Sequence, residues 1–251
     1  MKPLNSPYIP DTKVTAMFVS HNMPEEMMSL LEGLIPVLIR TMDLEGLPDP
    51  VKSHPDMQLV IPAEGVIVHA PNLHPKVAER LKDLGYILVS GEKTPAGSYP
   101  LDIPYNVAVV GDHAFLNTRY SDEVVLQWLK KTGKTISHVN QGYAKCSVCI
   151  LNKEAVITSD LGIYRAALGK NIDVLLIPPQ RSISIPGYDY GFIGGSTGLV
   201  SSKKIAFTGD LKTLDSWESI LLFLQKYGIT PVTLGASAVL DLGSLIPLCT
   251  V

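Results

Sequence analysis

The feature of this sequence that most constrains its fold is a repeat. Five segments with helical apolar spacing begin near residues 24, 74, 121, 160 and 215, a period of roughly 40 to 55 residues. Each carries its own start or stop signals. The first follows Asn22, a capping residue type, and the second has Pro75 in its first turn and Gly85 past its end. Ser121, Asp122 and Glu123 open the third, which runs to Gly133, and Asp160 opens the fourth, which ends at Gly169. Asp215 and Ser216 open the fifth, which ends at Gly228. A short apolar strand follows every helix, at 36–39, 86–89, 136–139, 173–177 and 230–234. Strand–turn–strand pairs come next, at 57–61 with 65–68, 107–110 with 114–116, 146–151 with 155–157, and 196–200 with 204–207. The fifth unit has only 244–248, and Val14–Val19 near the N-terminus supplies the outer strand it lacks.

A doubly wound open sheet uses one strand per helix. Three strands per helix, five times over, instead predict an α/β five-bladed propeller with pseudo-fivefold repeats. It closes when the first strand pairs with the last repeat, which removes exposed sheet edges. The whole chain, 1–251, is then one domain. Composition agrees: 46% hydrophobic and 18% charged residues exclude disorder and coiled coil, and 251 residues bury a sufficient core without staples. A net charge of -3, from 21 basic and 24 acidic residues, leaves no electrostatic footprint for nucleic acid. No apolar run approaches the roughly 18 residues of a membrane span. The N-terminus lacks the apolar core of a secretory signal, and the three cysteines fit a reducing compartment. The expectation is a cytoplasmic protein that binds neither nucleic acid nor membrane; its oligomeric state is open.

Five such repeats in about 250 residues resemble the pentein, or guanidino-group-modifying-enzyme, fold. The stretch Gly-Tyr-Asp-Tyr-Gly-Phe-Ile-Gly-Gly-Ser-Thr-Gly at 187–198 and the stretch Leu-Asp-Leu-Gly-Ser-Leu-Ile-Pro-Leu at 240–248 narrow the resemblance. They are similar to those of an uncharacterised bacterial family assigned to that fold. The fold includes arginine and agmatine deiminases, dimethylarginine hydrolase and amidinotransferases, and also the non-enzymatic ribosome anti-association factor. The resemblance implies a small guanidinium or amine ligand in a central channel. In the resembled hydrolases the nucleophilic cysteine lies in the last repeat, between a glycine-rich turn and a proline. Here Gly243-Ser244-Leu245-Ile246-Pro247 puts Ser244 at that place, and Cys249 lies beyond the proline. The fourth repeat likewise offers Gly194-Gly195-Ser196-Thr197 where the family's histidine is sought.

In a ring, the loops entering the inner strands converge on the channel, and converging polar groups at element ends form sites. His54 and Asp56, at i and i+2 on an extended segment, project to one face; a carboxylate beside an imidazole raises its pKa and suits acid/base work. The resembled hydrolases also carry His-x-Asp, in a late blade rather than the first. The alternative is a loop histidine beside a turn aspartate. Asp56, Asp189 and Asp241 are positioned to grip a guanidinium, which carboxylates match bidentately. Asn106, Lys145 and Thr197 complete the expected ligand contacts.

Cys146 and Cys149 read as residues of one strand pointing to opposite faces, which excludes a dithiol redox motif. Zinc needs two further ligands at ligand spacing, and no second pair follows, so no metal is expected. Cys149 then belongs to the core. Cys146 follows Lys145, whose ammonium favours a thiolate; it reads as either a reactive or a buried structural thiol. The glycine-rich run 191–198 has no Gly-Lys-Ser/Thr ending and leads into a strand, so no nucleotide cofactor is expected. Two readings stand. One is an enzyme with His54 as acid/base and Cys146 or Ser244 as nucleophile. The other is a ligand- or partner-binding protein that has lost the nucleophile.

Overall fold

The computed structural model describes residues 1–251. The helices form where the spacing predicts, and each buries one apolar stripe. Three are capped by a side chain accepting from the first turn: His74 from the Lys76 amide, Asp122 from the Val124 amide, and Asp160 from the Ile163 amide. The first helix differs, because it starts after Pro24 with no side-chain cap, and Asn22 lies outside it.

In chain order, β1 (Lys2–Pro3) and β2 (Val14–Val19) precede α1 (Glu25–Glu32) and β3 (Val37–Arg40). A short α2 (Pro55–Gln58) leads into the hairpin β4 (Leu59–Ala63) and β5 (Val66–His69), then α3 (Pro75–Asp83) and β6 (Ile87–Ser90). The next unit is β7 (Ala108–Val110), β8 (His113–Leu116), α4 (Glu123–Lys131) and β9 (Thr135–His138). A short α5 (Ala144–Ser147) precedes β10 (Val148–Asn152), β11 (Ala155–Thr158), α6 (Leu161–Leu168) and β12 (Asp173–Leu176). The last elements are β13 (Thr197–Ser201), β14 (Lys204–Phe207), α7 (Trp217–Lys226), β15 (Thr230–Thr233) and β16 (Ile246–Thr250).

These strands form five small sheets, β4-β5-β6, β7-β8-β9, β10-β11-β12, β13-β14-β15 and β1-β16-β2-β3. In each, an antiparallel pair is followed by a helix that returns the chain parallel to the strand it left, as where Val66 of β5 faces Ile87 of β6. That crossover corrects the grouping read from sequence. The strand after a helix belongs to the sheet before it, because a βαβ connection lays its second strand beside its first. Strand β3 therefore pairs with β2, not with the hairpin at 59–69.

Both chain ends meet in one sheet. Strand β2 runs antiparallel to β16, Phe18 opposite Ile246 and Val14 opposite Thr250. It occupies the middle of that sheet rather than the expected outer place, which β3 takes, while β1 covers the other side of β16. Phe18, Phe115 and Phe207 occupy the middle strands of three sheets and are fully buried there. Sequence reading also extended two strands too far: residues 55–58 and 144–147 are single helical turns, and the strands begin at Leu59 and Val148. Pro55, with its φ set for a helix and no amide to lose, starts the first of these turns. No helix is long and apolar enough to cross a membrane.

Candidate functional site

Asp56, Asn106, Cys146, Gly195 and Ser244 stand two or three residues ahead of β4, β7, β10, β13 and β16, one in each repeat. Hydrogen bonds join them in a circuit. The Asn106 side chain donates to the Asp56 carbonyl (3.3 Å) and accepts from the Lys145 (2.7 Å) and Cys146 (3.3 Å) amides. The Gly195 amide donates to the Cys146 carbonyl, and the Ser244 amide to the Gly195 carbonyl, both at 2.8 Å. The Asp56 amide donates to the Gly243 carbonyl at 3.2 Å, which returns the circuit to its start. Two glycines permit this closeness. A Cβ on Gly195 would run into the Asp241 carboxylate, and Gly243, at φ +74, faces the His54 side chain where a Cβ would point. Ser244 also has a positive φ, 75°, uncommon for a residue with a side chain.

A buried polar chain fills the centre. The Cys146 thiol (3.0 Å) and the Ser244 hydroxyl (2.7 Å) both donate to Asp56 Oδ2, and Lys145 Nζ donates to Ser244 Oγ at 2.8 Å. Asp241 is fixed by the Phe192 (2.8 Å) and Gly243 (3.1 Å) amides. His54 Nδ1 lies 4.0 Å from Asp241 Oδ1, too far for a hydrogen bond, so His54 Nδ1 and Asp56 Oδ1 are both buried without a partner.

Burial dominates the electrostatics. It pushes the His54 imidazole down to about 4 against the pull of Asp56, and raises Asp241 to about 6 against its amide donors and Lys145. It also raises Asp56, opposed by His54 and Lys145, and lowers Lys145. The Cys146 thiol is pushed well above its ordinary value, by burial first and then by Asp56 and Asp241.

Beside this centre lies a cavity of about 240 Å³. His54, Cys146, Asp189 and Asp241 reach it, and Tyr143, Tyr188, Tyr190 and Phe192 form an aromatic wall. Phe192 sits 6.1 Å from Tyr143 and 6.2 Å from Tyr190, ring centre to ring centre. Asp189 is exposed, and the other three polar groups are buried.

The expected residues thus separate into three groups. His54, Cys146, Asp189 and Asp241 share the cavity. Asp56, Asn106 and Ser244 lie behind it, joined to Cys146 directly or through Asp56. Thr197 and Lys145 instead line a separate narrow cleft with Tyr8, and the Thr197 hydroxyl donates to the Ile193 carbonyl. Two readings of the sequence need correction. His54 and Asp56 do not share one extended segment: Asp56 lies in a helical turn and gives its hydrogen-bonding oxygen to Cys146 and Ser244, and burial outweighs the pull of Asp56 and lowers the imidazole. The Lys145 ammonium donates to Ser244 rather than favouring a Cys146 thiolate, and burial, then Asp56 and Asp241, push the thiol up. Brief iodoacetamide treatment near pH 7.5 followed by mass spectrometry is therefore expected to leave Cys146 unmodified in the ligand-free protein; rapid alkylation would overturn this electrostatic account.

Sequence reasoning missed Tyr190 and Phe192. Their signal was present: Tyr188, Tyr190 and Phe192 alternate, and alternate residues of extended chain share a face.

The chain belongs to a family of unknown function, DUF6873, whose model matches residues 18–246. No curated protein matches it in sequence. Among solved structures it is similar to SxtG, an amidinotransferase from Microseira wollei in the saxitoxin biosynthetic pathway, at 13% identity and a TM-score of 0.56, covering 96% of this chain and 97% of that one. It is also similar to the inosamine-phosphate amidinotransferase StrB1 from Streptomyces griseus, at 11% identity and a TM-score of 0.61, covering 99% of this chain and 97% of that one. At such identities these likenesses show the fold alone, and that fold is the pentein fold.

Proposed function

We propose that this member of a family of unknown function binds a small organic cation, a guanidinium or primary amine, in the central cavity of a five-bladed α/β propeller. The hydrogen-bond circuit through all five repeats and the pairing of β2 with β16 support the ring. One observation carries the ligand class: the charged groups lining the cavity are Asp189 and Asp241, its wall is aromatic, and it has neither lysine nor arginine. Carboxylates match a guanidinium bidentately, and aromatic faces attract cations within about 6 Å. Amidinotransferases, such as the two solved structures above, handle a group of this kind.

A second reading, catalysis, is favoured by Cys146 in the cavity wall with its thiol 3.0 Å from Asp56 Oδ2. As the sulfur attacks the amidino carbon, Asp56 takes the thiol proton, which a departing amine later carries away; the cationic ligand itself offsets the carboxylates that hold the thiol neutral. His54, on the same wall, is the candidate to activate the water that clears the intermediate. Ser244, fully buried and bonded to Asp56, supports that carboxylate rather than attacking. The non-catalytic alternative keeps the cavity and loses only turnover.

Calorimetric titration with agmatine, with butylguanidine and with butylurea, the neutral ureido counterpart of butylguanidine, tests the binding claim. The cation is expected to bind at pH 7.5 and to weaken as pH falls through about 6, where Asp241 takes a proton. Asp241→Asn is expected to weaken binding roughly tenfold to a hundredfold, as for a lost hydrogen bond to a charged group. Equal binding of the neutral counterpart would refute the proposal. Release of ammonia or urea, abolished by Cys146→Ser, would establish the second reading.

A further inference from the structure

We infer that His54, Asp56 and Cys146 form a binding site for a thiophilic divalent cation such as zinc at the floor of the cavity. This goes beyond the organic-cation reading and does not depend on it. Each residue offers one ligand atom, and these atoms all lie within 4.8 Å of one another. Ligands at about 2.0–2.3 Å from a tetrahedral zinc ion lie roughly 3.3–3.7 Å apart, so modest side-chain rotation completes the set. An imidazole, a carboxylate and a thiol are also the donor types zinc selects.

A second observation is independent of that proximity. His54 and Asp56 are 3% and 1% exposed, yet His54 Nδ1 and Asp56 Oδ1 have no hydrogen-bond partner. Orphaned buried polar atoms are rare in native proteins and costly. A cation held through these two atoms would satisfy both while Asp56 Oδ2 keeps its bond from Ser244. The ligands come from two turns, α2 and α5, that Asn106 ties together, so the site is supported by hydrogen bonds behind it. His54 and Cys146 also line the cavity, which gives the ion an entry path. On binding, a metal–sulfur bond replaces the S–H bond, and the thiol proton leaves to solvent. Three protein ligands leave the fourth position open to water. A cysteine-pair search could not find this site, since its ligands come from repeats about 90 residues apart.

Full-length protein freed of metal with a chelator, then titrated with zinc and separately with cobalt(II), tests the inference. One equivalent of each is expected to bind, zinc with release of one proton as read by calorimetry in buffers of different ionisation enthalpy. The cobalt form is expected to show a thiolate-to-cobalt charge-transfer band in the near ultraviolet. Cys146→Ser is expected to abolish that band, and His54→Gln to weaken zinc about tenfold or more, while Cys149→Ala keeps the band. Far-ultraviolet circular dichroism establishes that each variant is folded, and proton release by the wild type stands without any variant. No stoichiometric binding, or a band that survives in Cys146→Ser, would overturn the site. Agmatine binding in the presence of the chelator is read separately, so loss of the metal site and loss of the organic-cation site are distinguishable.

Discussion

Asp56→Ala is expected to cost about 3–5 kcal/mol of folding stability, the usual penalty for leaving a buried charge without its partner. Asp56 accepts from Cys146 and Ser244 and offsets the Lys145 ammonium, which is only 5% exposed and reaches it through Ser244. Without the carboxylate, Lys145 remains buried on one hydroxyl, and two donors lose their acceptor. Asp56→Asn keeps the shape and one acceptor oxygen, so its cost should fall to about 1–2 kcal/mol. Urea unfolding of the three proteins, with their slopes compared to exclude a change in the unfolded state, reads the difference. An alanine variant within 1 kcal/mol of wild type, about the net worth of one ordinary hydrogen bond, would show that the central chain contributes little to stability.

The second large effect is a pair of opposed pH dependences that hide each other in the wild type. Native His54 sits at about 4 against an ordinary 6.5, so between those values the unfolded chain takes a proton the native protein refuses, and stability is lost as pH falls. Native Asp241 sits at about 6 against 3.8, so it keeps a proton that the unfolded chain releases, and stability is lost as pH rises through that window. Between pH 4 and 6 the two slopes cancel. Asp241→Asn removes one of them, and its stability is expected to rise by about 3 kcal/mol from pH 4 to 6.5, at about 1.4 kcal/mol per pH unit. His54→Asn removes the other and is expected to lose about 3 kcal/mol from pH 4 to 6. Asp56, also raised by burial, is lowered by His54 and raised by Asp241, so losing His54 steepens the fall with rising pH and losing Asp241 reduces it, in the same senses as the two slopes. Denaturant titrations of metal-free protein across pH 4–7 measure these slopes; parallel curves for the two variants would refute the assignment.

The repeat was legible because each helix carries local signals: Asp122 and Asp160 cap where an aspartate before an apolar stripe should. The meeting of the chain ends was legible too, since Val14–Val19 was a strand without a partner. The grouping of strands into sheets was not, because β3 is equally apolar whether it joins β2 or β4, and only the crossover decides. Cys146 read as strand because Cys-Ser-Val-Cys-Ile-Leu is apolar apart from Ser147, while the turn that places it is held by the Asn106 side chain from another repeat. The site was half legible for the same reason. Polar residues ahead of inner strands could be named from position, but whether Lys145 faces the cavity or Ser244, and whether a carboxylate or burial governs His54, depends on contacts between residues far apart in the chain.

The cavity is expected to prefer an organic cation, and the crystal structure of the protein with agmatine tests that most directly. The guanidinium is expected inside the cavity, with its N–H groups about 2.7–3.2 Å from carboxylate oxygens of Asp189 or Asp241 and its plane against Tyr143 or Phe192. Agmatine bound elsewhere on the molecule, or an anion occupying the cavity in its presence, would contradict it.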